Sequence, residues 1–132
     1  MRFESSARMA LVTALVTCPA LLLPNVAAAD DGEREVRRAG TCTASSTATI
    51  RLKADDGKID VEFEVRTRSA TKQWRVVLLH ERRVAFQGQV KPRSGGRSIR
   101  LRRTLPDWFG KDTIVIRATG PGIETCRATA TI

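Results

Sequence analysis

The chain has 132 residues, enough for one domain with a proper hydrophobic core and too few for two. Lys and Arg number 23 against 14 Asp and Glu, a formal net charge of +9, and there is a single histidine and no tyrosine. One histidine and three cysteines leave little material for a metal centre or a base-activated nucleophile. Because GC-rich coding also favours arginine, alanine and valine, basicity alone assigns no partner.

The N-terminus reads as a targeting signal. Arg2 and Arg8 form a positive n-region, partly offset by Glu4, and Met9 to Leu23 is an apolar run interrupted by Pro19. Pro24 and Asn25 break it, and Val26-Ala27-Ala28-Ala29 supplies the small residues a signal peptidase requires, with cleavage expected after Ala29 or after Ala28. Met9 to Ala29 also reaches spanning length, but two prolines and the small-residue ending disfavour an uncleaved anchor. Cys18 makes a poor lipidation site, since threonine precedes it and Pro19 to Leu23 continue the apolar run. Residues 1–29 are therefore a signal peptide on this reading, no membrane span remains after cleavage, and the mature chain is secreted or wall-associated.

Losing Arg2, Arg8 and Glu4 with the signal leaves a net charge of +8 and two cysteines, Cys42 and Cys126. An even count in an exported chain predicts a disulfide. Closing so long a loop would contribute about 4–5 kcal/mol in the chain-entropy model.

Residues 30–40 are charged and nearly free of apolar side chains, so they read as a flexible leader. From Thr41 the strand patterns begin, and residues 41–132 form the domain. Cys42, Ala44, Ala48, Ile50 and Leu52 mark an edge strand with a bulge around Ser45-Ser46. Asp55-Asp56-Gly57-Lys58 is a hairpin turn; it lacks the ligand spacing of a calcium loop. Ile59, Val61, Phe63 and Val65 then alternate with Asp60, Glu62 and Glu64, which predicts one buried and one wet, acidic face.

Trp74 to His80 is an unbroken run of mostly large apolar residues, the pattern of a central strand around which the domain is layered. Glu81-Arg82-Arg83 turns the chain into a shorter strand from Val84 to Val90, with Gly88 read as a bulge or weak edge. Pro92 to Gly96 is loop, and Ser98 to Arg103 places Ile99 and Leu101 inward with Arg100 and Arg102 outward. Leu105 to Asp112 is a corner in which Trp108 and Phe109 serve as plugs. Thr113 to Thr119 is a strand, Gly120-Pro121-Gly122 a turn, and Ile123 to Ile132 a last strand with Cys126, Ala128, Ala130 and Ile132 on one face.

Seven strands at this spacing predict an all-β, immunoglobulin-like sandwich. The layout over residues 41–132 resembles a fibronectin type III domain, with strands A, B, C, C′, E, F and G in order. The likeness is architectural: without tyrosine the chain has no tyrosine corner, and a Cys42–Cys126 bridge joins first strand to last. In the proposed sandwich the second strand lies beside the fifth, so that Asp60, Glu62 and Glu64 face Arg100 and Arg102 as cross-strand pairs. The Gly40-Thr41-Cys42 start, Asp56 to Val65, Trp74-Arg75-Val76-Val77 and Glu124-Thr125-Cys126-Arg127 also resemble short exported proteins of high-GC Gram-positive (actinobacterial) species. That resemblance implies export and a small β domain, and carries no activity.

No phosphate loop, metal-ligand cluster or dinucleotide fingerprint is present in the sequence, and the sequence suggests neither an enzyme nor a cofactor. With the strand acids paired, positive charge concentrates on Arg66, Arg68, Lys72, Arg75, Arg82, Arg83, Lys91, Arg93 and Arg97, a candidate anion-binding surface. The expected partner is an anionic cell-wall polymer or an extracellular protein; specific nucleic-acid recognition would want more stacking aromatics than Trp108-Phe109. Two other functions fit less well. One is an enzyme inhibitor presenting Arg93-Ser94-Gly95-Gly96-Arg97 to a trypsin-like pocket, and the other is a hydrolase using the Asp60/Glu62/Glu64 carboxylates.

Overall fold

The computed structural model describes residues 32–68, 72–93 and 95–132; residues 1–29, the expected signal peptide, lie outside them. The described chain is all β: β1 Arg34–Ala39, β2 Thr41–Cys42, β3 Thr47–Asp55, β4 Lys58–Arg66, β5 Trp74–His80, β6 Arg83–Val90, β7 Ser98–Pro106, β8 Thr113–Thr119 and β9 Thr125–Thr131. They form two antiparallel sheets in a sandwich, β1-β3-β4-β7 and β2-β9-β8-β5-β6. Among the described residues no helix is long and apolar enough to cross a membrane.

Alternation builds the core. Ile50 and Leu52 of β3, Ile59, Val61, Phe63 and Val65 of β4, and Ile99 and Leu101 of β7 face Trp74, Val76 and Leu78 of β5, Ile114 and Ile116 of β8 and the small side chains of β9 in one buried cluster. Trp74 is the largest of the buried side chains, and Gly120 leaves room for it: a Cβ there would lie 2.7 Å from the Trp74 ring. The indole Nε1 has no hydrogen-bond partner among the described residues, so Trp74 is held by packing alone.

The count is nine strands where the sequence suggested seven, and both additions are N-terminal. Arg34–Ala39, expected as leader, is an edge strand on β3, with Val36 opposite Leu52 and packed against the core. One apolar residue suffices because cross-strand charges reinforce the ladder: Glu35 binds Arg51 at 3.0 Å and Glu33 binds Lys53 at 3.1 Å. The expected first strand is broken, not bulged, at Ser45-Ser46. Its start, β2, pairs with β9, and its remainder, β3, lies in the other sheet. Gly40 makes the earlier crossing, from β1 to β2, where a Cβ would come within 2.5 Å of the Arg127 carbonyl oxygen.

Strand β5 also departs from expectation. Its inward side chains are buried, but Arg75, Val77 and Leu79 point to the outer face, as an antiparallel sheet with one solvated side requires. The register irregularity in β6 falls opposite Leu78/Leu79, at Ala85, and not at Gly88. Gly88 lies under the Phe86 ring. The turn Asp56-Gly57 adopts the left-handed geometry its sequence predicts, with φ of 50° and 73°.

Candidate functional site

Strand register decides which loops share an end of the sandwich. Arg66 pairs with Ser98 and Trp74 with Val90, so the β4–β5 and β6–β7 loops emerge together, beside the β2–β3 and β8–β9 loops and the Cys42–Cys126 bridge. Six of the nine basic residues expected on the surface (Arg66, Arg68, Lys72, Lys91, Arg93 and Arg97) lie at this disulfide end, and Arg75 lies next to it on the exposed face of β5. Arg82 and Arg83 do not. They follow His80, which pairs with Ile114 at the far end of β5, and so belong to the opposite pole.

The separation polarises the molecule. Loop residues 43–46, 67–73, 91–97 and 120–124 carry five bases and a single acid, Glu124, whose carboxylate accepts the Ser46 N–H at 3.1 Å. The opposite loops, 56–57, 81–82 and 107–112, carry Asp56, Glu81, Asp107 and Asp112 against Arg82 and Lys111. A field of this form draws anions to one end.

Arg66, Arg68 and Arg97 line a cleft of about 620 Å³ with Ser45, Thr47, Thr67 and Ser98. The Thr67 N–H donates to the Arg97 carbonyl at 3.0 Å, tying two loops together, and the Arg93 N–H donates to Ser98 at 2.8 Å. Arg66 is partly committed, its Nε lying 2.6 Å from Glu64. Arg68 and Arg97 form no ion pair among the described residues. Lys72, Lys91 and Arg93 are exposed at the same end without lining the cleft. Guanidinium forks beside hydroxyls suit phosphate, sulfate or carboxylate oxygens.

The opposite pole holds a constellation that the sequence did not disclose. His80 and Asp112 are both buried, with Nε2 2.5 Å from Oδ1, while Asp112 Oδ2 accepts the Trp108 N–H at 3.2 Å. Trp108 stacks on the imidazole with centroids 3.9 Å apart, and Asp112 exchanges both backbone hydrogen bonds with Ile132. This arrangement closes the 107–112 corner against the chain's last residue, and with both carboxylate oxygens engaged and the ring covered it reads as a clamp. Of the expected plugs Trp108 alone serves, partly exposed; Phe109 stands fully in solvent. Asp112 lies 32 residues from His80, and no local motif links them.

The β4 acids are where the alternation put them. Glu62 lies opposite Arg102 and Glu64 opposite Arg100, with ion pairs at 3.2 Å and 2.5 Å. Asp60 faces Thr104 and accepts its hydroxyl at 2.8 Å. Hydrogen bonds from Arg66 and then Arg100 hold the Glu64 carboxyl below the ordinary carboxylate range. Among the described residues Cys42, Glu124 and Cys126 cluster as metal ligands would, but the disulfide uses both sulfurs.

Two further bases, Arg117 and Arg127, went unrecognised in the sequence because the inward residues of β8 and β9 dominate those patterns. They lie directly opposite each other on the outer face of the five-stranded sheet, in the same row as Val77, with Arg75 one row away. A recess of about 160 Å³ between them is lined by Val77, Leu79 and Val115. No protein family, curated protein or solved structure matches this chain.

Proposed function

We propose that the mature chain is a non-enzymatic, exported binding domain that holds an anionic envelope polymer at its disulfide end. The observation that carries this is the segregation of charge: five loop bases with one engaged acid, opening on a cleft walled by three arginines. Export is supported by the N-terminal pattern and the Cys42–Cys126 bridge. On this reading the domain is immunoglobulin-like, with β3, β4 and β7 taking the A, B and E places, β5, β6, β8 and β9 taking C, C′, F and G, and β1 and β2 as additions. The pairing of β4 with β7 supports that assignment.

Purified wall teichoic acid, immobilised, should retain the protein at low salt and release it steeply as salt rises. Arg68→Ser with Arg97→Ser should flatten the log–log salt slope by about one to two, whereas Arg82→Ser with Arg83→Ser should leave it unchanged. Retention indifferent to salt would remove the electrostatic reading.

The alternative, an inhibitor presenting Arg93–Arg97, has less support. The Gly96 N–H folds back onto the Arg93 carbonyl at 2.9 Å, and Gly95 and Gly96 both have positive φ, which makes a tight turn and not an extended substrate-like loop. Cleavage by trypsin at Arg93 or Arg97 without inhibition would dispose of it.

A further inference from the structure

A row of outward side chains crosses all five strands of the second sheet: Thr41, Arg127, Arg117, Val77 and Gln87, each opposite the next. Like charges directly opposite one another destabilise an antiparallel pair, and among the described residues this face holds no acid to relieve Arg117 and Arg127. On one side the next row is Thr125, Thr119, Arg75 and Gln89; on the other it is Thr129, Val115, Leu79 and Val84. The face thus has a cationic half toward the disulfide end and an apolar half away from it. Their seam is the recess of about 160 Å³ walled by Val77, Leu79, Val115, Arg117 and Arg127.

We propose that this face docks an acidic polypeptide segment, one aliphatic side chain entering the recess and flanking carboxylates reaching Arg75, Arg117 and Arg127. The surface is distinct from the disulfide-end cleft and takes a different ligand. A volume of this order accommodates something the size of a benzene ring, hence one side chain. Guanidinium forks match carboxylates in pairs.

Charge and shape select this occupant over its rivals. A second copy docking through the same face would gather six arginines in one interface with no acid from this face to neutralise them. A membrane surface calls for several apolar side chains that reach into the acyl boundary, but of Val77, Leu79, Val84 and Val115 only Val84 is well exposed, and the other three are half-buried and line a hollow. A uniformly charged polymer would leave the recess empty.

The test uses the mature protein and two blocked decapeptides of Glu and Asp, one with a central Leu and one with Ser in its place. Amide shifts are followed by NMR and affinity by calorimetry. The Leu peptide should perturb Val77, Leu79 and Val115 and bind about tenfold more tightly than the Ser peptide. Arg117→Ser with Arg127→Ser should weaken it at least about tenfold while leaving the melting temperature within error or raised, since both side chains are exposed and mutually repulsive. Arg68→Ser with Arg97→Ser should leave peptide binding intact, so that failure of the polymer reading and failure of this one are distinguishable. Equal affinity for the two peptides, no binding by either, or shifts confined to the disulfide end would overturn the proposal. So would Arg117-dependent binding to phosphatidylglycerol vesicles in preference to the Leu peptide.

Discussion

On the outer face of the four-stranded sheet, Glu35, Glu62 and Glu64 each meet a base across or along the ladder, and Asp60 is satisfied by Thr104. On the outer face of the five-stranded sheet, Arg117 meets Arg127. Both faces come from the same alternation of strand side chains, so the difference is not imposed by the fold. One face is internally neutralised and offers a partner little electrostatic gain. The other retains unrelieved positive charge beside uncovered apolar surface, a combination that costs stability in isolation and rewards an acidic partner.

The two sheets also differ in how their edges are secured. Strand β1 lies on the charged sheet through six ladder positions and ion pairs, whereas β2 has two positions and the Cys42–Cys126 bond to β9. Cys42→Ala with Cys126→Ala should therefore produce the largest loss, about 2–4 kcal/mol in denaturant unfolding. Amide exchange should accelerate first along Thr41–Thr43 and β9, with β1 keeping its protection. Uniform acceleration across both edges would show that the covalent tie is not specific to the five-stranded sheet.

Charge reversal on the neutralised face should come next. Arg100 lies 2.5 Å from Glu64 and 3.7 Å from Glu62. Arg100→Glu would gather three acids on adjacent strands, and about 1–2 kcal/mol of stability should be lost, the high side for a surface site because the pairs form a network.

The same network predicts an acid-side pH dependence. Glu64 binds Arg66 and Arg100, and its carboxyl is held below the ordinary range, so the folded state binds its proton less readily than the unfolded state does. Its stabilisation is complete above the unfolded glutamate value of about 4.3 and lost as pH falls through the lower folded value. Glu64→Gln should cost about 1 kcal/mol at neutral pH and flatten the stability curve on the acid side. Unchanged curvature would mean that other carboxylates carry the acid sensitivity.

The neutralised face could be read from sequence because strict alternation in residues 59–65 and 98–102 fixed both the buried set and its charged counterpart. The disulfide and the Asp56-Gly57 turn were legible for local reasons: cysteine parity and turn chemistry. Strand β1 was not, since one valine among charges becomes a strand only when Arg51 and Lys53 are already in register opposite. Nor could sequence order show that Arg82-Arg83 turns away from Arg66, Arg68 and Arg97; that follows from which ends of β4, β5 and β7 meet. Arg117 and Arg127 were within reach: alternation on β8 and β9 places both outward, and only the pairing of those strands makes them adjacent. The His80–Asp112 clamp is a tertiary contact with no local trace.

The smallest expected effect is the sharpest test of the contrast. Arg127→Glu alters net charge by the same amount as Arg100→Glu, so any general effect of lowering the positive charge is common to both. On the five-stranded sheet the new carboxylate would lie opposite Arg117 across β8–β9, replacing a repulsive pair with an attractive one. Stability should rise by about 0.2–1 kcal/mol, the range of such cross-strand exchanges, and the gain should shrink in 1 M salt, where the Debye length is about 3 Å. Binding of the acidic Leu peptide should fall in the same variant, because the residue that stabilises the free face removes one of the charges a partner would use. A loss of stability for Arg127→Glu comparable to that for Arg100→Glu would show that Arg127 is already neutralised within the chain, and the distinction between the two faces would then collapse.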